Sequence, residues 1–175
     1  SVSGMEIPPV VKFVVGYQTG AKSQNSAIET LNVYIPDFND PSTGKQAGQS
    51  MIDDGADIIF GVGGNTGNGG VLAAHEAGLL GIGVDVDQYF TYPDVAASLL
   101  TSAAKNMDVA AHDAVVAFAN GELEAGVNRG TVENGGIGLA PYHDQESNIP
   151  DACKDAVAAA EEGLKNGTIS TGYNP

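Results

Sequence analysis

Two clusters in this 175-residue chain combine residue types and spacing that could bind or react with a small molecule. The first is Gly61-Val62-Gly63-Gly64-Asn65-Thr66-Gly67, which follows an apolar run and leads into a helical pattern. Bare backbone N–H groups at such a place can receive a polar ligand group. As a dinucleotide fingerprint it fails, because Thr66 stands where the third glycine of G-x-G-x-x-G belongs. It is not a P-loop either, since no lysine follows the glycines. The plain alternative is a tight turn from strand to helix. The second cluster, Asp85-Val86-Asp87-Gln88, ends a buried strand pattern, where open α/β sheets take ligands. It lacks the sixth-position glycine and twelfth-position glutamate of a calcium loop. A pair of turn or cap aspartates explains it about as well as a ligand role.

Other arrangements come close to catalytic motifs and stop short. His75-Glu76 opens like a zinc-protease helix, but Leu79 occupies the place of the second histidine. Gly48-Gln49-Ser50-Met51 resembles a nucleophile elbow until Ile52 replaces the closing glycine. His75, His112 and His143 are scattered and read as surface or satisfied histidines. Cys153 is alone, so neither an internal disulfide nor a zinc site is expected. No acid–base pair, nucleophile or metal cluster assembles. The residues suit binding, not catalysis, and imply no cofactor.

Elements must hold these residues in place. Strand, Gly-rich turn, helix and strand over residues 57–62, 61–70, 71–77 and 81–85 predict a parallel sheet with crossover helices. Residues 31–35 and 99–103 add strand candidates, and Asp40-Pro41-Ser42-Thr43 starts a helix. Residues 107–119 carry Met107, Ala111, Val115 and Phe118 along one helical face, the best helix pattern in the chain. Residues 132–139, broken by Asn134-Gly135-Gly136, read as two short strands around a turn. Ile149-Pro150-Asp151 opens a last amphipathic helix that fades at Asn166-Gly167. Residues 10–21 are ambiguous: β-branched enough for a strand, yet with Phe13, Tyr17 and Ala21 at helical spacing. The fold class is α/β.

Composition bounds the partners. Seven basic against 22 acidic residues give a net charge of -15, which repels phosphate backbones and excludes nucleic-acid binding by a basic face. Charged residues make up 17%, below the usual ~25%, while 42% are apolar, so the chain can bury a core. No apolar run approaches the ~18 residues of a membrane-spanning helix.

Several segments taken together resemble a known family. They are Gly4-Met5-Glu6-Ile7-Pro8-Pro9, Asp37-Phe38-Asn39-Asp40-Pro41, Gly55-Ala56-Asp57-Ile58-Ile59-Phe60 and Gly83-Val84-Asp85-Val86-Asp87-Gln88. Farther on come Leu100-Thr101-Ser102-Ala103-Ala104-Lys105-Asn106-Met107-Asp108-Val109-Ala110 and Gly135-Gly136-Ile137-Gly138-Leu139-Ala140-Pro141-Tyr142-His143. In this order they resemble the basic membrane protein family, solute-binding lipoproteins of ABC importers that include purine-nucleoside receptors. The resemblance implies a two-lobed periplasmic-binding fold outside the cytoplasm, no chemistry, and a permease as partner. It further implies that the chain is the C-terminal portion. Residues 1–98 would form the C-terminal-lobe core, 99–125 a segment crossing to the N-terminal lobe, and 126–175 the return strands and last helix. For residues 8–22 it favours helix.

The family's nucleoside site carries over in part. Phe38 matches the aromatic that stacks on the base, and Gly64 lines the pocket. Asp85 matches an acceptor for ribose hydroxyls, and Lys105 the cation that reaches the sugar. The resemblance also places a whole strand upstream of Gly4, of which Ser1-Val2-Ser3 remain. An unfilled slot inside a sheet leaves ladder groups unpaired, so the missing N-terminal lobe or another copy of the chain should complete it. Copies donating strands head to tail would make a filament subunit, which is the alternative function.

Overall fold

The computed structural model describes residues 1–173. In chain order the elements are β1 (Val2–Ser3), α1 (Pro8–Gln24), β2 (Val33–Tyr34), α2 (Pro41–Asp53), β3 (Ile58–Val62), α3 (Gly64–Glu76), β4 (Leu80–Asp85), α4 (Gln88–Thr91), β5 (Leu99–Lys105), α5 (Met107–Asn120), β6 (Ile137–Leu139) and α6 (Asp151–Lys165). The six strands form one sheet in the order β2-β1-β3-β4-β5-β6. All pairs are parallel except β5 with β6, and parallel neighbours joined through helices make the doubly wound α/β pattern expected from the sequence.

The alternation of a strand builds two cores at once. On β3, Ile59 faces Val2, Ile35, Met51 and Ala74, whereas Phe60 and Val62 face Val10, Val14 and Val84. Helices α2 and α3 cover the first face and α1 the second. Fully burying side chains of this size contributes about 1.5–3 kcal/mol each. Helix α2 starts as its Asp-Pro-Ser-Thr signal demands: Asp40 accepts the Thr43 N–H at 2.9 Å and Pro41 sits in the first turn. Helix α1 resolves the ambiguous segment as a helix. Pro8 and Pro9 occupy its first turn, and Val10 and Val14, four apart, bury against the sheet.

Four expectations need correction. The glycine-rich stretch is not a turn through Gly70, because α3 begins at Gly64. Its glycines are poor helix formers, but tertiary contact overrides propensity: a Cβ at Gly69 would meet the Pro41 carbonyl oxygen at 2.1 Å. The segment at 132–139 forms one strand, not two. Asn134 converts its first half into a turn by accepting the N–H groups of Thr131 and Gly136. Strand β5 runs on to Lys105, two residues beyond the expected end.

The fourth correction concerns the strand slot. Val2 and Ser3, both fully buried, occupy the ladder between β2 and β3 and pair with each. Flanking bonds extend this pairing: Ile35 N–H donates to the Ser3 carbonyl and Gly4 N–H to that of Val62. A cavity of ≈ 450 Å³ opens between residues 28–31 and Ile58–Ile59. The Ser1 amine donates to the Leu31 carbonyl at 2.5 Å, and burial lowers its pKa to about 6.

Candidate functional site

Parallel strands all end their carboxyl termini on one side of the sheet, and the loops that follow them converge there. Phe38 follows β2, Gly63 and Gly64 follow β3, Asp85 ends β4 and Lys105 ends β5. Together with the first turns of α1 these residues line a cavity of ≈ 330 Å³. All four residues singled out from the sequence, Phe38, Gly64, Asp85 and Lys105, therefore border one space.

Each is held for a local reason. The Phe38 ring lies over Gly4, where a Cβ would stand 2.4 Å from it. Its loop is tied to α3 by Thr66, a fully buried threonine whose hydroxyl donates to the Asp37 carbonyl at 2.8 Å and accepts from the Asp40 N–H at 3.0 Å. The backbone completes the link, with Thr66 N–H donating to the Phe38 carbonyl at 3.2 Å. Gly63 and Gly64 have φ of 155° and 57°, conformations that suit glycine and open α3 toward the cavity.

Asp85 sits in a strained backbone. Its φ is 70°, and the Val86 N–H donates to the Val84 carbonyl at 2.9 Å, the pattern of a three-residue γ-turn centred on the aspartate. Such conformations cost about 1–3 kcal/mol and gather at binding sites. The Lys105 ammonium lies 2.6 Å from Asp85 Oδ1, but without the alignment of a hydrogen bond. Asp85 Oδ1 is buried at this contact with the ammonium. Both side chains are 37–42% exposed, so the pair contributes at most about 1 kcal/mol to stability. A half-exposed carboxylate–ammonium pair that shares a cavity with Phe38 can take a hydroxyl-bearing flat molecule.

The other half of the aspartate motif is structural. Asp87 accepts the Tyr89 N–H at the start of α4 and the ring nitrogen Nε2 of His143 lies 2.8 Å from its Oδ2. His143 stacks on Tyr89 at 4.0 Å between ring centres. The Tyr89 hydroxyl donates to Asp144, which pushes its pKa up. Gln88 turns inward, its N–H donating to Ser102 Oγ and its side-chain amide to Asn68. The two aspartates, indistinguishable in sequence, therefore divide into one facing the cavity and one that caps and clamps.

Two residues at the site escaped the sequence reading. In the sequence Thr66 registers only as a defect in a glycine motif. Phe13, on α1, lines the cavity, and its ring centre lies 5.0 Å from the Lys105 ammonium. Its helical spacing with Tyr17 was the only available signal, and that spacing reports a face, not what the face meets.

Comparison with known proteins adds a family. A family model described as ABC transporter substrate-binding protein PnrA-like matches residues 1–174. Basic membrane protein D of Borreliella burgdorferi is 30% identical over 181 residues, covering 99% of this chain and 51% of that protein. An uncharacterized lipoprotein of Pyrococcus furiosus is 30% identical over 148 residues, covering 79% of this chain and 36% of that protein. The chain thus spans about half the length, or less, of these curated relatives. Among solved structures, an ABC transporter system solute-binding protein from Aeropyrum pernix K1 superimposes with a TM-score of 0.77 at 22% identity, over 96% of this chain and 55% of that one. That likeness concerns the fold.

Proposed function

This chain belongs to the Bmp family of PnrA-like ABC transporter substrate-binding proteins, and we propose that it forms one wall of a binding site for a nucleoside-like solute. The observation that carries the reading is the strained Asp85, ion-paired with Lys105 and lining one cavity with Phe38. A purine face would lie on the Phe38 ring, with sugar hydroxyls donating to Asp85 and accepting from Lys105. Gly64 lets the ligand approach the start of α3 without a side chain in the way. The site binds and releases without chemistry.

The relatives are about twice as long, so the opposing wall of the clamp is assigned to their other lobe. Residues 99–125 would cross toward it, and α5 would pack there. The lipoprotein relatives favour an extracytoplasmic location and a permease as partner. No helix among the described residues is long and apolar enough to cross a membrane. Strand exchange into filaments is the less favoured reading, because β1 already pairs on both sides.

Calorimetric titration with inosine or guanosine tests the proposal, using the chain joined to the N-terminal half of a family member. Saturable binding is expected. Asp85→Asn should weaken it by about 1–3 kcal/mol, the cost of a buried charge-assisted hydrogen bond. Unchanged affinity would remove Asp85 from the site, and no binding of any nucleoside would end the solute assignment.

A further inference from the structure

We infer that Phe13 is a positioning residue for Lys105: its ring holds the ammonium beside Asp85 at the cavity, so an aromatic at position 13 sets how well that cation is presented. The inference deepens the solute-site reading and rests on it for its binding arm. Lys105 is the last residue of β5, with a long flexible side chain and a partner carboxylate that is itself half-exposed. An ion pair of this kind leaves the side chain many rotamers. The Phe13 ring closes the opposite flank, with its centre 5.0 Å from the ammonium, within the range of a cation–π contact.

The ring is itself fixed from behind. It meets Phe60 edge to face, with centres 6.3 Å apart at 70°, and Phe60 is buried between α1 and the sheet. A rigid chain of contacts thus runs from the core through Phe13 to the cation. Asp85, pinned in its γ-turn, closes the other side. The ammonium is left with its remaining N–H groups free for a ligand oxygen.

The test separates positioning from ligand class. In the solute-free protein, NMR of the Lys105 ε-methylene should show an upfield ring-current shift that Phe13→Tyr keeps and Phe13→Leu abolishes. Inosine affinity of the two-lobed protein should fall roughly 2- to 5-fold in Phe13→Leu, as expected for loss of a partly exposed cation–π contact, and stay near wild type in Phe13→Tyr. In a Lys105→Met background Phe13→Leu should add nothing. A Lys105 ε-methylene at its random-coil position in the wild type overturns the inference, as does equal affinity in the Leu and Tyr variants. Should the ring-current signature hold while no form binds a nucleoside, the positioning stands and the nucleoside assignment alone falls. The Tyr variant, which retains packing against Phe60, guards against reading a folding defect as a positioning effect.

Discussion

Helices α3 and α5 are 13 and 14 residues long and have opposite surroundings. Helix α3 contains four glycines, yet it buries Thr66, Gly67, Gly69, Gly70, Val71, Ala73 and Ala74. Helix α5 has no glycine and a clean apolar stripe, yet it buries no residue. Val115 and Phe118 are 68% and 74% exposed. Glycine is the reason α3 can be buried. It lies so close to α2 that a Cβ at Gly44 would stand 1.9 Å from the Thr66 carbonyl oxygen. Helix α5 has the residues of a buried helix, and none of them is buried. Apolar content states a need for a partner, and only three-dimensional contact supplies one.

The sharpest way to break this comparison is to force the α2–α3 contact apart. Gly44→Val should destabilise the protein by at least about 3 kcal/mol, since the clash is with backbone that cannot rotate away. Denaturant unfolding would measure it, and a native-like midpoint would show that α3 is not held by close approach.

A smaller effect concerns the edge of the same core. Burial lowers the Ser1 amine from 8.0 to about 6, so the unfolded chain takes up a proton first as pH falls. Stability should rise with pH through this window, and about 2 kcal/mol present at pH 8 should be lost by pH 6. Urea unfolding of the 175-residue chain at both pH values checks the sign. An Nα-acetylated chain, which has no amine to titrate, should lose this component. A pH-independent difference between the two chains would contradict the buried amine.

The smallest effect belongs to α5. Phe118→Ser should change unfolding stability by no more than about 0.5 kcal/mol, because the residue is 74% exposed. It should nevertheless reduce binding of an apolar dye. A loss of several kcal/mol would show that α5 packs in solution and that the contrast with α3 is false.

Much of this fold was legible along the chain. Helix α2 announces itself by Asp40-Pro41, β3 by its apolar run, and α5 by its stripe, all local signals that act within a few residues. Propensity alone misread the start of α3, since it values Gly67, Gly69 and Gly70 as turn residues and cannot see the backbone of α2. Residues 10–15 were undecided by propensity and became helix through Pro8, Pro9 and the burial of Val10 and Val14. At the candidate site, Phe38, Gly64, Asp85 and Lys105 could be picked out because they lie in segments that resemble a family. Thr66 and Phe13 could not, because what makes them matter are hydrogen bonds and ring contacts across 26 or more positions of sequence.

By itself the sequence determined the α/β class, the order of most elements, a strongly acidic composition, and four residues for one cavity. The class, the element order and the acidity follow from local periodicity, composition and charge, which need no knowledge of neighbours; the four residues came from segments that resemble a family. Tertiary structure alone decided which of two adjacent aspartates faces the cavity. It also decided that β1 closes the sheet with two residues, and that a phenylalanine from α1 flanks Lys105. Those outcomes depend on distances between parts of the chain far apart in sequence, and such distances exist only once the sheet has brought its strand ends together.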